Sequence, residues 1–121
     1  AIAAHPAARG LLDDAAVLAL GGTALVLTHD MLVEGVHFLP DDAPGGVAWK
    51  LVAVNMSDLA AKGAEPLGVL MGAGLARGDS WDAAFADGLG AALDHFGAPL
   101  LGGDTVAMPA AGPVTLGLTA I

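Results

Sequence analysis

No cysteine occurs among the 121 residues, which excludes disulfides, thiolate zinc sites and a cysteine nucleophile. That absence suits a reducing compartment, and a cytoplasmic location is expected. Positive charge is almost as scarce. Arg9, Lys50, Lys62 and Arg77 stand against 13 acids, for a net charge of −9. Nucleic-acid binding relies on Lys and Arg to neutralise phosphates, so no nucleic-acid partner is expected and a cation is the more natural one. Long apolar runs are missing too, none approaching the roughly 20 residues that span a bilayer. Ala1 to Arg9 lacks the charged head and apolar stretch of a signal peptide, so no membrane partner is expected either. Nor does the chain carry a Walker A sequence, a GxSxG, a GxGxxG after a strand or a histidine pair at zinc spacing.

What remains is a chain that folds. Hydrophobic residues make up 55% and charged residues only 14%, which rules out disorder and implies a surface rich in Ala and Gly. The length fits one domain. Because the chain starts without Met and ends inside an apolar run at Ile121, it reads as a domain excised from a longer protein.

Ala15 to Leu20, Gly21-Gly22 and Thr23 to Leu27 predict a β-hairpin with a tight glycine turn, which brings Asp14 beside Asp30. Leu39 to Gly46, with two prolines and two glycines, reads as a loop. Val47 to Lys62 is apolar almost all round and predicts a buried helix on which Asn55, Asp58 and Lys62 share a face. Leu67 to Leu75 reads as a strand. Ser80 is a candidate N-cap for a second helix that buries Trp81, Phe85 and Phe96, leaves Asp82, Asp87 and Asp94 to solvent and stops at Gly97. Trp49 is also assigned to the core. Pro99 to Leu101 delivers Gly102-Gly103-Asp104-Thr105, and Val114 to Ile121 makes a final strand.

Asp13, Asp14, Asp30, Asp58 and Asp104 each sit against apolar sequence. Burying an ionised carboxylate is costly unless it is paired or bound to metal, and four cations cannot serve five such acids. The missing counter-charge is read as a metal. Oxygen donors, with the hydroxyls of Thr28, Ser57 and Thr105 adjacent, favour a hard cation such as Mg²⁺ over zinc. Singly, an Asp at a strand end is more often a cap or turn residue. Asp58, mid-helix, lacks that excuse, and its plain alternative is a pairing with Lys62 four residues on. Gly102-Gly103 is either a mere turn or a place where a phosphate approaches backbone N–H groups. His37, beside Phe38, is by its setting more often a core histidine than a ligand.

Four stretches carry a resemblance: Asp13 to Leu18 (DDAAVL), Thr28 to Phe38 (THDMLVEGVHF), Val54 to Ala61 (VNMSDLAA) and Gly102 to Thr105 (GGDT). In order and spacing they resemble thiamine-monophosphate kinase along nearly the whole chain, but only its N-terminal domain. The resemblance implies an α+β fold, an α/β sandwich. Its mixed β-sheet of about four strands would have two main helices packed on one face, as in the N-terminal domain of aminoimidazole ribonucleotide synthetase. It implies one N-terminal ATP- and magnesium-binding domain over residues 1–121, with a second α/β domain absent from this chain, and a homodimer whose N-terminal sheets join in a barrel-like core.

Carried over residue by residue, the resemblance makes Asp14, Asp30, Asp58 and Asp104 magnesium ligands, with Asp13 close by and Thr28 adding an oxygen. Asp30 and Asp58 are then the catalytic pair, Gly103 and Asp104 lie at the nucleotide, and His37 contacts thiamine monophosphate. The implied reaction is transfer of the ATP γ-phosphoryl group to thiamine monophosphate, giving thiamine diphosphate, with the isolated fragment inactive. Two positions depart from the family. Leu12 stands where Gly commonly precedes the acidic pair, and His29 stands where Thr is usual, so a metal ligand expected there would come from the backbone. Other readings are a superfamily member with a different acceptor, or a non-catalytic domain that binds cations and dimerises.

Overall fold

The computed structural model describes residues 3–121. A short 3-10 segment, Pro6–Leu11, leads into the hairpin of β1 (Ala15–Leu20) and β2 (Thr23–Val33). Gly21 and Gly22 take φ of 53° and 84°, the left-handed pair that a two-residue turn needs to follow the strand twist. Next come α1 (Pro44–Ala61), β3 (Val69–Leu75), α2 (Asp79–Phe96), β4 (Leu100–Ala107) and β5 (Thr115–Ala120).

Two helix starts differ from the sequence reading. α1 begins at Pro44 instead of Val47, because proline's fixed φ and missing N–H suit the first turn of a helix, and it carries Gly45-Gly46 inside. α2 begins at Asp79, so Ser80 is not its cap. Gly78 holds that place and no side chain caps the helix. Asp79 and Asp82 put negative charge in that first turn, where the helix dipole favours it. Gly97, at φ 65°, closes the helix in the left-handed conformation.

The sheet has five strands in the order β1-β2-β5-β3-β4, one more than expected. The addition is β4. Gly102 and Gly103 sit inside it, paired with Leu70 and Met71 of the parallel β3, rather than in a turn. A Cβ on Gly103 would collide with the main chain of Met71, so this glycine lets two strand backbones approach. β5 runs antiparallel between β2 and β3. The connections β2-α1-β3 and β3-α2-β4 step the same way across the sheet, and with the usual right-handed crossover both helices fall on one face.

α1 lies over β2 and β5, and α2 packs along α1. Leu51, Val52 and Leu59 of α1 meet Val69, Leu116 and Leu118 of the sheet in a fully buried layer. Along β2 the faces alternate: Thr28 and Leu32 are buried toward the helices and Asp30 half-buried, while His29 and Met31 are exposed on the other side. That outer face shows Met31, Leu70 and Val106. Trp49 is not a core residue. It is 40% exposed, with ring centroids 5.0 Å from His95 and 5.7 Å from Phe96. Among the described residues no helix is long and apolar enough to cross a membrane.

Candidate active site

The hairpin and α1 together make the acidic centre. Ala15 pairs with Thr28, which sets Asp14 at the strand end next to Asp30, as the sequence predicts. Thr28 is buried, and its Oγ1 donates to the Asp14 carbonyl at 2.8 Å. The same oxygen lies 3.2 Å from Asp58 Oδ2. A hydroxyl has one proton to give, so the shorter bond takes most of it and Asp58 is left only partly satisfied.

Asp30 faces Asp58, and its pKa is raised to about 6. Burial is the largest cause, followed by its hydrogen bond to Asp58 and the negative charges of Asp58 and Asp14; His29 pulls weakly the other way. All four Lys and Arg side chains are occupied elsewhere. Arg9 and Lys62 both bind Asp13, Arg77 pairs with Glu34, and Lys50 donates to the His37 carbonyl. Lys62 therefore does not pair with Asp58, the plain alternative for a mid-helix acid.

Asp13 is separated from this centre by its own contacts. Its Oδ2 receives Lys62 Nζ at 2.6 Å and Arg9 Nε at 2.7 Å, while Oδ1 accepts the Ala15 N–H at 3.2 Å. Lys62 and then Arg9 hold the carboxyl down to about 2. The i,i+4 spacing of Arg9 and Asp13 was a readable signal for part of this; the reach of Lys62 across 49 positions was not.

Asp104 does not join Asp14, Asp30 and Asp58 within the chain. It pairs with Gly72 on β4, and Gly72 aligns through Gly117 with Met31, all on the outer face. Three strand spacings, about 14 Å, and the thickness of the sheet separate it from Asp30. There it borders a groove of about 350 Å³ with His29, Met31, Gly74, Val106 and Met108. Among the described residues no three His, Asp or Glu side chains close around a single ion.

His29 belongs to the same outer face. Its Nδ1 is 2.8 Å from Thr119 Oγ1, and its ring lies over Gly117, where an added Cβ would be 3.1 Å from Cε1. Its side chain thus lies on the sheet face opposite that of Asp30, bordering one groove with Asp104 and another with Asp13 and Asp14. Leu12 takes φ −92°, a conformation open to any residue. The left-handed turn falls earlier, at Arg9, Gly10 and Leu11.

His37 is exposed, and its Nδ1 accepts the Val33 N–H at 2.9 Å. One turn before Asp58, the fully buried Asn55 donates to the Leu51 carbonyl at 2.9 Å and keeps Oδ1 without a partner. Asp82 is not wholly solvated as expected, for its Oδ1 is buried and unpaired.

The donors are of a kind that suits a hard divalent cation. Asp14, Asp30, Asp58 and Thr28 offer oxygen only, and burial together with the neighbouring Asp58 and Asp14 raises the Asp30 pKa against only a weak opposing pull from His29.

The chain is similar to known proteins along most of its length. The profile of the family "AIR synthase related protein, N-terminal domain" matches residues 12–121. The thiamine-monophosphate kinase of Caulobacter vibrioides is 46% identical over 117 residues, 94% of this chain and 33% of that protein. The Salmonella typhimurium thiamine-monophosphate kinase is 42% identical over 111 residues, covering 90% and 34%. A solved structure described as "AaThiL complexed with AMPPCP and TMP" superposes with a TM-score of 0.82 at 30% identity, over 89% of this chain and 35% of that one. The chain thus spans about a third of the length of the curated relatives it matches.

Proposed function

The chain belongs to the thiamine-monophosphate kinase family through an N-terminal domain of the AIR-synthase-related type, and from that premise we propose that it forms the nucleotide- and magnesium-binding part of an ATP-dependent thiamine-monophosphate kinase. The observation that carries the proposal is that Asp30 lies against Asp58 and close to Asp14, with Thr28 bridging Asp58 and the Asp14 carbonyl, while all four Lys and Arg side chains are engaged elsewhere. A related structure described as holding both AMPPCP and TMP supports the substrate pair.

In this reading γ-phosphoryl transfer from ATP to thiamine monophosphate gives thiamine diphosphate and ADP. The acceptor phosphate has a second pKa near about 6 and is already anionic at neutral pH, so the protein need not supply a strong base. Its task is to bring two polyanions together in line. Bound Mg²⁺ would neutralise the phosphates. Asp14, Asp30 and Asp58 are its proposed holders, with Thr28 fixing the first and last of them. Asp58 is the most rigid of the set because a helix carries it. Gly103 and Asp104 are assigned to the nucleotide, and His37 to thiamine monophosphate.

The exposed apolar residues of the outer sheet face, Met31, Leu70 and Val106, fit a homodimer in which a second copy covers that face. Asp104, on the same face, would then act at the seam between the copies. The cytoplasm is the proposed location.

The test is calorimetry and product assay on the complete natural protein. Binding of Mg-ATP and of thiamine monophosphate, with thiamine diphosphate formed and abolished by Asp58→Asn, is the expected result. Turnover retained in Asp58→Asn would remove the metal-centre assignment. Metal binding without either ligand would instead favour a cation-binding dimerisation module.

A further inference from the structure

The connection between β2 and α1 is pinned at nearly every residue. Gly35, at φ 81°, turns the chain, and its N–H donates to the Phe38 carbonyl at 2.8 Å. Val33 and His37 close on each other twice: the His37 N–H donates to the Val33 carbonyl at 2.8 Å, and the Val33 N–H donates to His37 Nδ1 at 2.9 Å. Phe38 is buried in the core, and Lys50 donates to the carbonyl of His37.

The second Val33–His37 bond settles what the ring can offer. An Nδ1 that accepts a hydrogen bond carries no proton, so in the neutral ring Nε2 carries it. His37 is left with one polar group to present, an N–H donor.

A side-chain pair outside all the motifs holds the start of this connection. Arg77, in the turn after β3, grips Glu34 with both prongs: Nε reaches Oε2 at 2.9 Å, and Nη2 donates to Oε1. The Glu34 side chain is only 10% exposed, against 36% for Arg77. The Glu34 N–H also donates to the Val114 carbonyl at 2.9 Å, so the pair straps the connection across the start of β5. A buried ion pair adds little stability over apolar residues of the same size, whereas its two-pronged geometry fixes orientation well.

We propose that Arg77 is a positioning residue for the substrate: through Glu34 it holds the Val33–Phe38 connection so that His37 presents its Nε2–H to an acceptor atom of thiamine monophosphate. This rests on the kinase reading. Arg77 itself touches no substrate in it.

Arg77→Met alone strands a nearly buried carboxylate and endangers folding, so the decisive variant is the double change Glu34→Met with Arg77→Met, which removes both charges. In the complete natural protein, calorimetry should show thiamine monophosphate affinity falling by about tenfold with Mg-ATP affinity unchanged. Nitrogen NMR should show His37 losing its single tautomer, and Arg77→Lys should restore part of the affinity. Unchanged thiamine monophosphate affinity, or equal loss of both ligands, overturns the proposal while leaving the kinase reading intact. Wild-type protein that binds no thiamine monophosphate overturns the kinase reading, and this inference with it.

Discussion

Lys62 Nζ and Asp13 Oδ2 lie 2.6 Å apart, tying the C-terminal end of α1 to the start of the hairpin. With Arg9 on the same oxygen and the Ala15 N–H on the other, the carboxylate of Asp13 is fully used, whereas its neighbour Asp14 is bound through its backbone carbonyl alone.

The two adjacent acids should therefore respond differently to amide replacement. In the complete natural protein, Asp13→Asn should leave divalent-metal affinity within a few-fold, and Asp14→Asn should lower it by about ten- to a hundredfold, the usual range for disturbing a metal site. A Mn²⁺ titration followed by electron paramagnetic resonance reads this directly. Equal losses for the two variants would make Asp13 a ligand alongside Asp14.

Asp30 makes metal-free stability depend on pH in a defined sense. Its folded pKa of about 6 lies above the ordinary 3.8, so between those values the folded state binds more protons than the unfolded state. Stability contributed by this group is present below 3.8 and lost as pH rises through 6. Asp30→Asn should accordingly raise the melting temperature in chelator at pH 8 and leave it nearly unchanged at pH 4. Mg²⁺ should stabilise the wild type at pH 8 far more than at pH 4. A melting temperature insensitive to Asp30→Asn at pH 8 would contradict the crowding of Asp30 by Asp58 and Asp14.

Much of this was legible in the residues. The hairpin follows from Gly21-Gly22 between two apolar runs and brings Asp14 beside Asp30, whereas the joining of Asp58 to them was implied by the family resemblance and not by the helix pattern. The extra strand was hidden because Gly102-Gly103 carries turn chemistry, and only the nearness of the Met71 backbone makes glycine a strand residue there. The place of Asp104 was hidden for a related reason. Strand alternation decides which face an acid occupies, and without knowing that 102–105 is a strand there is no alternation to count. Lys62 and Arg77 find partners through tertiary contacts alone, which sequence spacing does not encode.

The crossing of α1 and α2 offers a test that separates packing from helix propensity. A Cβ on Gly88 would run into the backbone of Gly45, with the Gly45 carbonyl oxygen at 2.9 Å and its carbon at 3.0 Å. Two residues on, a Cβ on Gly90 meets nothing within 4 Å. Both glycines are interior to the same helix, where alanine is intrinsically better by about 1 kcal/mol. Gly90→Ala should collect that gain and stabilise the fold by roughly 0.5–1 kcal/mol. Gly88→Ala forces rigid backbone apart and should destabilise by about 1–3 kcal/mol, the range for overpacking a core. Chemical denaturation of the two variants side by side reads the difference. Stabilisation by both would mean that the helices do not approach as closely at Gly45 and Gly88 as their backbones indicate.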